Sequence, residues 1–114
     1  MTLQRFILET GFGTDQYGQD ATKAACRAVE DAIRKVALPL FGTLGIETDE
    51  MRVVVTVGVS QPETLDKKRV ASVLPHGQVT VKAIKGGLDV TNPDTGQVIT
   101  VAVSYTHLTL PTIA

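Results

Sequence analysis

Between Arg52 and Ser60 the chain alternates with a period of two. That spacing predicts a strand with Val53, Val55, Val57 and Val59 on one face and Val54, Thr56 and Gly58 on the other. A different period begins at Asp20, whose carboxylate suits the first exposed N–H groups of a helix. Ala21, Ala25, Val29, Ala32, Ile33, Val36 and Leu40 recur every three to four residues and form an apolar stripe. Lys23, Arg27, Glu30, Asp31, Arg34 and Lys35 occupy the opposite face, with Glu30 and Arg34 spaced as an ion pair. Pro39 distorts or ends the last turn, and Gly42 and Gly45 close the segment.

Ahead of the helix, Gln4 to Thr10 carries the run Phe6-Ile7-Leu8 and reads as a strand, followed by a polar loop with three glycines from Gly11 to Gln19. Beyond the valine-rich strand, Gln61-Pro62-Glu63 turns the chain, and Asp66 to Leu74 fits two helical turns with Val70 and Val73 inward. Gln78 to Lys85 reads as a further strand broken by Gly86 and Gly87. Leu88 to Thr91 and Gln97 to Val103 form a hairpin around Asn92-Pro93-Asp94-Thr95-Gly96. The order β-α-β-(α)-β-β predicts an α+β fold: one sheet of four to five strands with one long helix on one face. One helix covers one face only. The valine-rich strands have mixed-apolar second faces, so another subunit is expected to cover the other side, with the short helix and loops as the alternative cover.

The length of 114 residues fits one domain. With no tryptophan, three phenylalanines and two tyrosines, the core must be aliphatic. A net charge of −1 gives no basic face and argues against a nucleic-acid partner. One cysteine, Cys26, excludes an internal disulfide framework, and with two histidines it does not make a Cys/His zinc site. Cys26 lies close to the apolar stripe, which predicts a partly buried, inert thiol. No cofactor or metal is expected. The start of the chain does not read as a signal peptide and no apolar run reaches membrane-spanning length, so a cytoplasmic address is the default expectation.

From Ser104 the chain reads Ser-Tyr-Thr-His-Leu-Thr-Leu-Pro-Thr-Ile-Ala. This resembles translated sequencing-adapter read-through at the ends of proteins predicted from metagenome assemblies. Residues 1–103 are accordingly expected to form the domain, with 104–114 a foreign tail in which Tyr105 and His107 carry no function.

The strongest local candidate for chemistry is Gly11-Phe12-Gly13-Thr14-Asp15-Gln16-Tyr17-Gly18-Gln19-Asp20. Backbone N–H groups and the helix dipole there suit an anionic or carbonyl-bearing ligand. Gln-Asp after Gly18 excludes a P-loop, and Gln16 stands where a dinucleotide fingerprint needs its third glycine. A tight, well-capped β–α connection accounts for the same residues. Gly11, Gly13, Asp15, Gly18, Gln19, Asp20 and Lys23 are the candidate ligand contacts, joined by His76, a residue type able to move protons near neutral pH. Glu9 and Ser60 sit near strand ends beside the glycine loop and are the candidate catalytic residues, Glu9 as a carboxylate able to act as a general base.

Phe6 to Asp15, Gly18-Gln19-Asp20-Ala21-Thr22-Lys23-Ala24-Ala25, Pro62-Glu63 with Asp66-Lys67, Pro75 to Val81 and Gly86-Gly87 resemble a small family of bacterial proteins of unknown function. It was first catalogued from a Listeria hypothetical protein and brings no assigned activity. Strand, Gly-rich loop, Ala-rich helix and a Val-rich strand ending in Ser60 also resemble one repeat of the ring-opening amidohydrolases, cyanuric acid hydrolase and barbiturase. Those enzymes set three such domains about a pseudo-threefold axis, each bringing a Ser and a Lys to a central site. The resemblance implies a homotrimer with a shared pocket, amide hydrolysis of a small cyclic substrate, Ser60 at the serine position and Glu9, or a residue of the following loop, near that of the lysine. Gln61-Pro62 stands in place of the family's Gly-Gly, and no lysine follows the first strand. A non-catalytic structural or binding oligomer is the alternative. A trimeric lyase or mutase of chorismate-mutase-like shape is a third, for which the clustered arginines that a dicarboxylate needs are missing.

Overall fold

The computed structural model describes residues 3–34, 51–74 and 77–111, with side chains for 8–34, 51–74 and 77–109. The α+β architecture expected from the sequence is present. Strand β1 (Leu3–Asp15) leads to helix α1 (Ala21–Arg34). Strand β2 (Arg52–Val59) leads through a 3₁₀ turn at Pro62–Thr64 to the short helix α2 (Lys67–Ala71). Strands β3 (Gln78–Lys85), β4 (Leu88–Thr91) and β5 (Val98–Pro111) complete the chain. They form one five-stranded sheet in the order β1-β5-β2-β3, with β4 also on β5. Only β2 and β3 run parallel; β5 is antiparallel to β1, β2 and β4. β2 meets β5 as far as Gly58↔Val103, and β4 takes up the same side of β5 from Leu88↔Val101.

The core lies between the sheet and α1. Val53, Val55, Val57 and Val59 of β2, with Ala102 and Leu108 of β5, are buried beneath Ala24, Ala25, Ala28 and Val29. The predicted inward valines of β2 therefore point as the period of two requires. Val70 of α2 joins the same core, and Val73 is partly buried against it. The N–H of Asp66 donates to the Thr22 hydroxyl at 3.0 Å, which ties the α2 segment to the first turn of α1.

Three local expectations need correction. Residues 11–15 are not loop: β1 runs on to Asp15, because Gly11 to Asp15 pair with Ser104 to Thr100. The final strand does not stop at Val103, because β5 continues to Pro111 with Ser104, Thr106 and Leu108 buried. The side-chain pair expected between Glu30 and Arg34 is replaced by a hydrogen bond from Arg34 Nε to the main-chain oxygen of Glu30 at 3.3 Å. The predicted helical residues Val36 and Leu40 and the glycines at 42 and 45 lie outside the described residues.

Candidate functional site

The end of β1 and the start of α1 form a polar concavity. Asp15 is 4% exposed, deep for a carboxylate, and its oxygens are held from two sides. Its Oδ2 accepts the N–H of Asp20 at 2.9 Å, and its Oδ1 lies 3.7 Å from Arg27 Nη1. Asp20 in turn accepts the N–H of Lys23 at 3.1 Å, the helix cap expected from its position in the sequence. Gly18 at φ 93° and Gln19 at φ 51° make the turn between these two carboxylates. Thr14, Asp15, Gln16, Tyr17, Lys23 and Arg27 line an open cleft of about 460 Å³. Lys23 is the cation there that suits an anion, because Arg27 is engaged by Asp15 and by the Thr14 carbonyl oxygen.

Gly11 and Gly13 belong to a different task. A Cβ on Gly13 would meet the carbonyl oxygen of Ala24 and the nitrogen of Ala28, and lie 2.8 Å from the carbonyl carbon of Arg27. A Cβ on Gly11 would meet the oxygen of Ala28 and lie 2.6 Å from the nitrogen of Ala32. All of these are main-chain atoms. The helix backbone lies directly on the strand, and the glycines are what allow it.

On the helix side of the sheet a polar row crosses three strands. Asp15 is paired with Thr100, and Thr100 with Asp89. Ser60 follows the end of β2 and donates its hydroxyl to Asp89 Oδ2 at 2.8 Å. Thr100 Oγ1 is buried with no hydrogen-bond partner. Glu9 is not in this row. It pairs with Thr106, which pairs with Val55, so Glu9 is level with Val55, five residues before Ser60. At about 3.3 Å per residue the two candidates are roughly 17 Å apart along the strands. Within one chain they do not meet.

The structure thus gathers Asp15, Gly18, Gln19, Asp20 and Lys23 at one loop, sets Ser60 with Asp89 at the end of β2, and leaves Glu9 farther along β1. His76 lies outside the described residues. Arg27, Asp89 and Thr100 were not singled out from the sequence as site residues. Arg27 falls in a helical row of charges, and Asp89 and Thr100 meet Asp15 only through strand register. Cys26 is half-buried, its Sγ 3.9 Å from the Arg69 carbonyl oxygen; burial raises its pKa above the ordinary thiol range, against a smaller lowering by Arg69. No group of three or more His, Cys, Asp or Glu side chains placed to hold a metal occurs among the described residues. Nor is any described helix long and apolar enough to cross a membrane.

The fold has a solved counterpart, an FtsZ-like protein of unknown function from Nostoc punctiforme. The two share 33% identity at a TM-score of 0.85, over 98% of this chain and 99% of that one. No curated protein matches the chain. The model of the conserved hypothetical protein family Lin0512_fam matches residues 5–107, which takes in strand β1 from Arg5 onward with its glycines and the polar row, and the chain belongs to that family.

Proposed function

We propose that the protein is the subunit of a homo-oligomer in which another copy covers the open face of the sheet, and that its role is binding rather than hydrolysis. One observation carries this reading. On the face away from α1, Phe12 is 63%, Ile84 53%, Tyr105 43% and Leu8 39% exposed. Strand pairing sets them in neighbouring rows: Leu8 beside His107 and Val54, Thr10 beside Tyr105 and Thr56, Phe12 beside Val103 and Gly58. By ordinary side-chain areas the exposed apolar surface is on the order of 500 Å², at the upper end of what a monomer shows.

Charge favours one kind of assembly. Among the residues of this face whose side chains are described, the ionised groups are Arg52 and Lys82, with no carboxylate. A two-fold contact of this face with itself sets like charges on both partners. A ring of three uses heterologous contacts, which place the face against a different surface of the next copy. The threefold arrangement implied by the amidohydrolase resemblance is of that kind. The cleft beside Lys23 is the place for a small anionic ligand.

The test is light scattering. A mass of three times 12.2 kDa, falling to 12.2 kDa for Phe12→Lys with an unchanged far-ultraviolet spectrum, supports the reading. A wild-type monomer at 100 µM concentration (about that order, for an interface of micromolar strength) refutes it. The hydrolytic alternative rests on the Ser60–Asp89 hydrogen bond. A carboxylate is a weak base for a serine, and Glu9 is far from this pair within the chain. Turnover of cyclic imides that disappears in Ser60→Ala at unchanged mass would favour it.

A further inference from the structure

Strand β1 is an edge of the sheet: among the described strands its one neighbour is β5. The outward N–H and C=O groups of such a strand recur every second residue and form a template for pairing with another chain. Two of them are taken. The Phe12 N–H donates to Asp31 Oδ2 at 3.1 Å, and the Thr14 carbonyl oxygen accepts from Arg27 Nη1. Phe12 and Thr14 are two apart on the strand, and Arg27 and Asp31 are four apart on the helix.

Those two spacings match physically. Two strand residues advance about 6.6 Å and four helix residues about 6 Å. The same match underlies the glycines, with Gly13 on Ala24 and Ala28, and Gly11 on Ala28 and Ala32. One row of α1 seats the helix backbone on the strand. The adjoining row, one residue earlier at 27 and 31, then reaches round the strand's edge. A side chain at residue 11 or 13 would lift the helix and take Arg27 and Asp31 out of reach.

We infer that Arg27 and Asp31 are edge guards that deny strand addition at Phe12–Thr14, and that the Gly-x-Gly of β1 serves this closure. The Phe12 N–H and the Thr14 carbonyl oxygen, which would pair with another chain, are already bonded to side chains of α1. The inference is independent of the proposed face-to-neighbour assembly: the edge and the open face are different surfaces, and loss of the guard raises association where loss of the face lowers it.

The experiment uses the full chain with Asp31→Ala, Asp31→Asn, Arg27→Ala and the Arg27→Ala/Asp31→Ala double variant. Amide exchange is read at Phe12, and mass and thioflavin fluorescence are followed over days. Expected are at least tenfold faster exchange at Phe12 in Asp31→Ala, near wild-type exchange in Asp31→Asn, whose amide oxygen still accepts, and growth of thioflavin-positive assemblies in the double variant. Equal Phe12 exchange in wild type and Asp31→Ala overturns the inference. So does a folded double variant that keeps wild-type mass and dark thioflavin. Should the double variant fail to fold, the Asp31→Ala and Asp31→Asn pair decides on exchange alone.

Discussion

Replacing Gly13 by alanine tests the seating of the helix directly. The added Cβ meets Ala24 O and Ala28 N and lies 2.8 Å from Arg27 C, all main-chain atoms with no side chain to swing away. Ordinary contact needs about 3.5 Å or more, so α1 must lift by roughly 1 Å. Overpacking of this kind costs about 1–3 kcal/mol. Lifting the helix also weakens the Arg27–Thr14 and Phe12–Asp31 hydrogen bonds, each contributing about 1 kcal/mol. Against this, alanine restricts the unfolded chain and returns about 0.4–1 kcal/mol. The net expectation is a loss of about 3 kcal/mol, or roughly 10–15 °C in melting temperature for a domain of this size. Urea unfolding followed by circular dichroism measures it. Gly96→Ala is the control: φ is 73° and nothing lies within 4 Å, so only backbone strain of about 1 kcal/mol applies. A Gly13→Ala loss equal to or below that of Gly96→Ala would refute the close-seating argument.

Thr100→Val should leave stability unchanged or raise it by about 1 kcal/mol, because it removes a buried hydroxyl that has no partner; a loss above about 2 kcal/mol in urea unfolding would show that the hydroxyl is bonded. Cys26 holds its proton to higher pH than an ordinary thiol near 8.5 because burial disfavours the thiolate. Its alkylation by iodoacetamide should therefore lag that of the urea-unfolded chain at pH 8, and the rate's midpoint should shift upward. A midpoint at or below the unfolded value contradicts the burial argument.

Much of the fold was legible because period is a property of sequence. Val53, Val55, Val57 and Val59 alternate, and all four are buried. The Asp20 cap, the short helix after Asp66 and the strand from Gln78 to Lys85 follow equally local signals. The stretch after Val103 shows the limit of such signals. Ser104, Thr106 and Leu108 alternate with Tyr105, His107 and Thr109 and lie buried in β5. Strand pairing asks for period and not for origin, so this placement leaves the proposed foreign origin of 104–114 open to a direct test on the natural gene. Any natural replacement has to present small or apolar side chains at 104, 106 and 108.

The sequence by itself determined the element types and the aliphatic core, because both depend on residue type and local spacing. Only the tertiary structure decided what the glycines do. In sequence, Gly-x-Gly before a helix suits a ligand loop as well as a seat. The choice was made when α1 folded back onto β1 and brought Ala24, Ala28 and Ala32 against Gly11 and Gly13. Pairing across strands likewise joined Asp15 to Thr100 and Asp89, and separated Glu9 from Ser60. Those relations depend on register between segments distant in the chain, and no local pattern carries register.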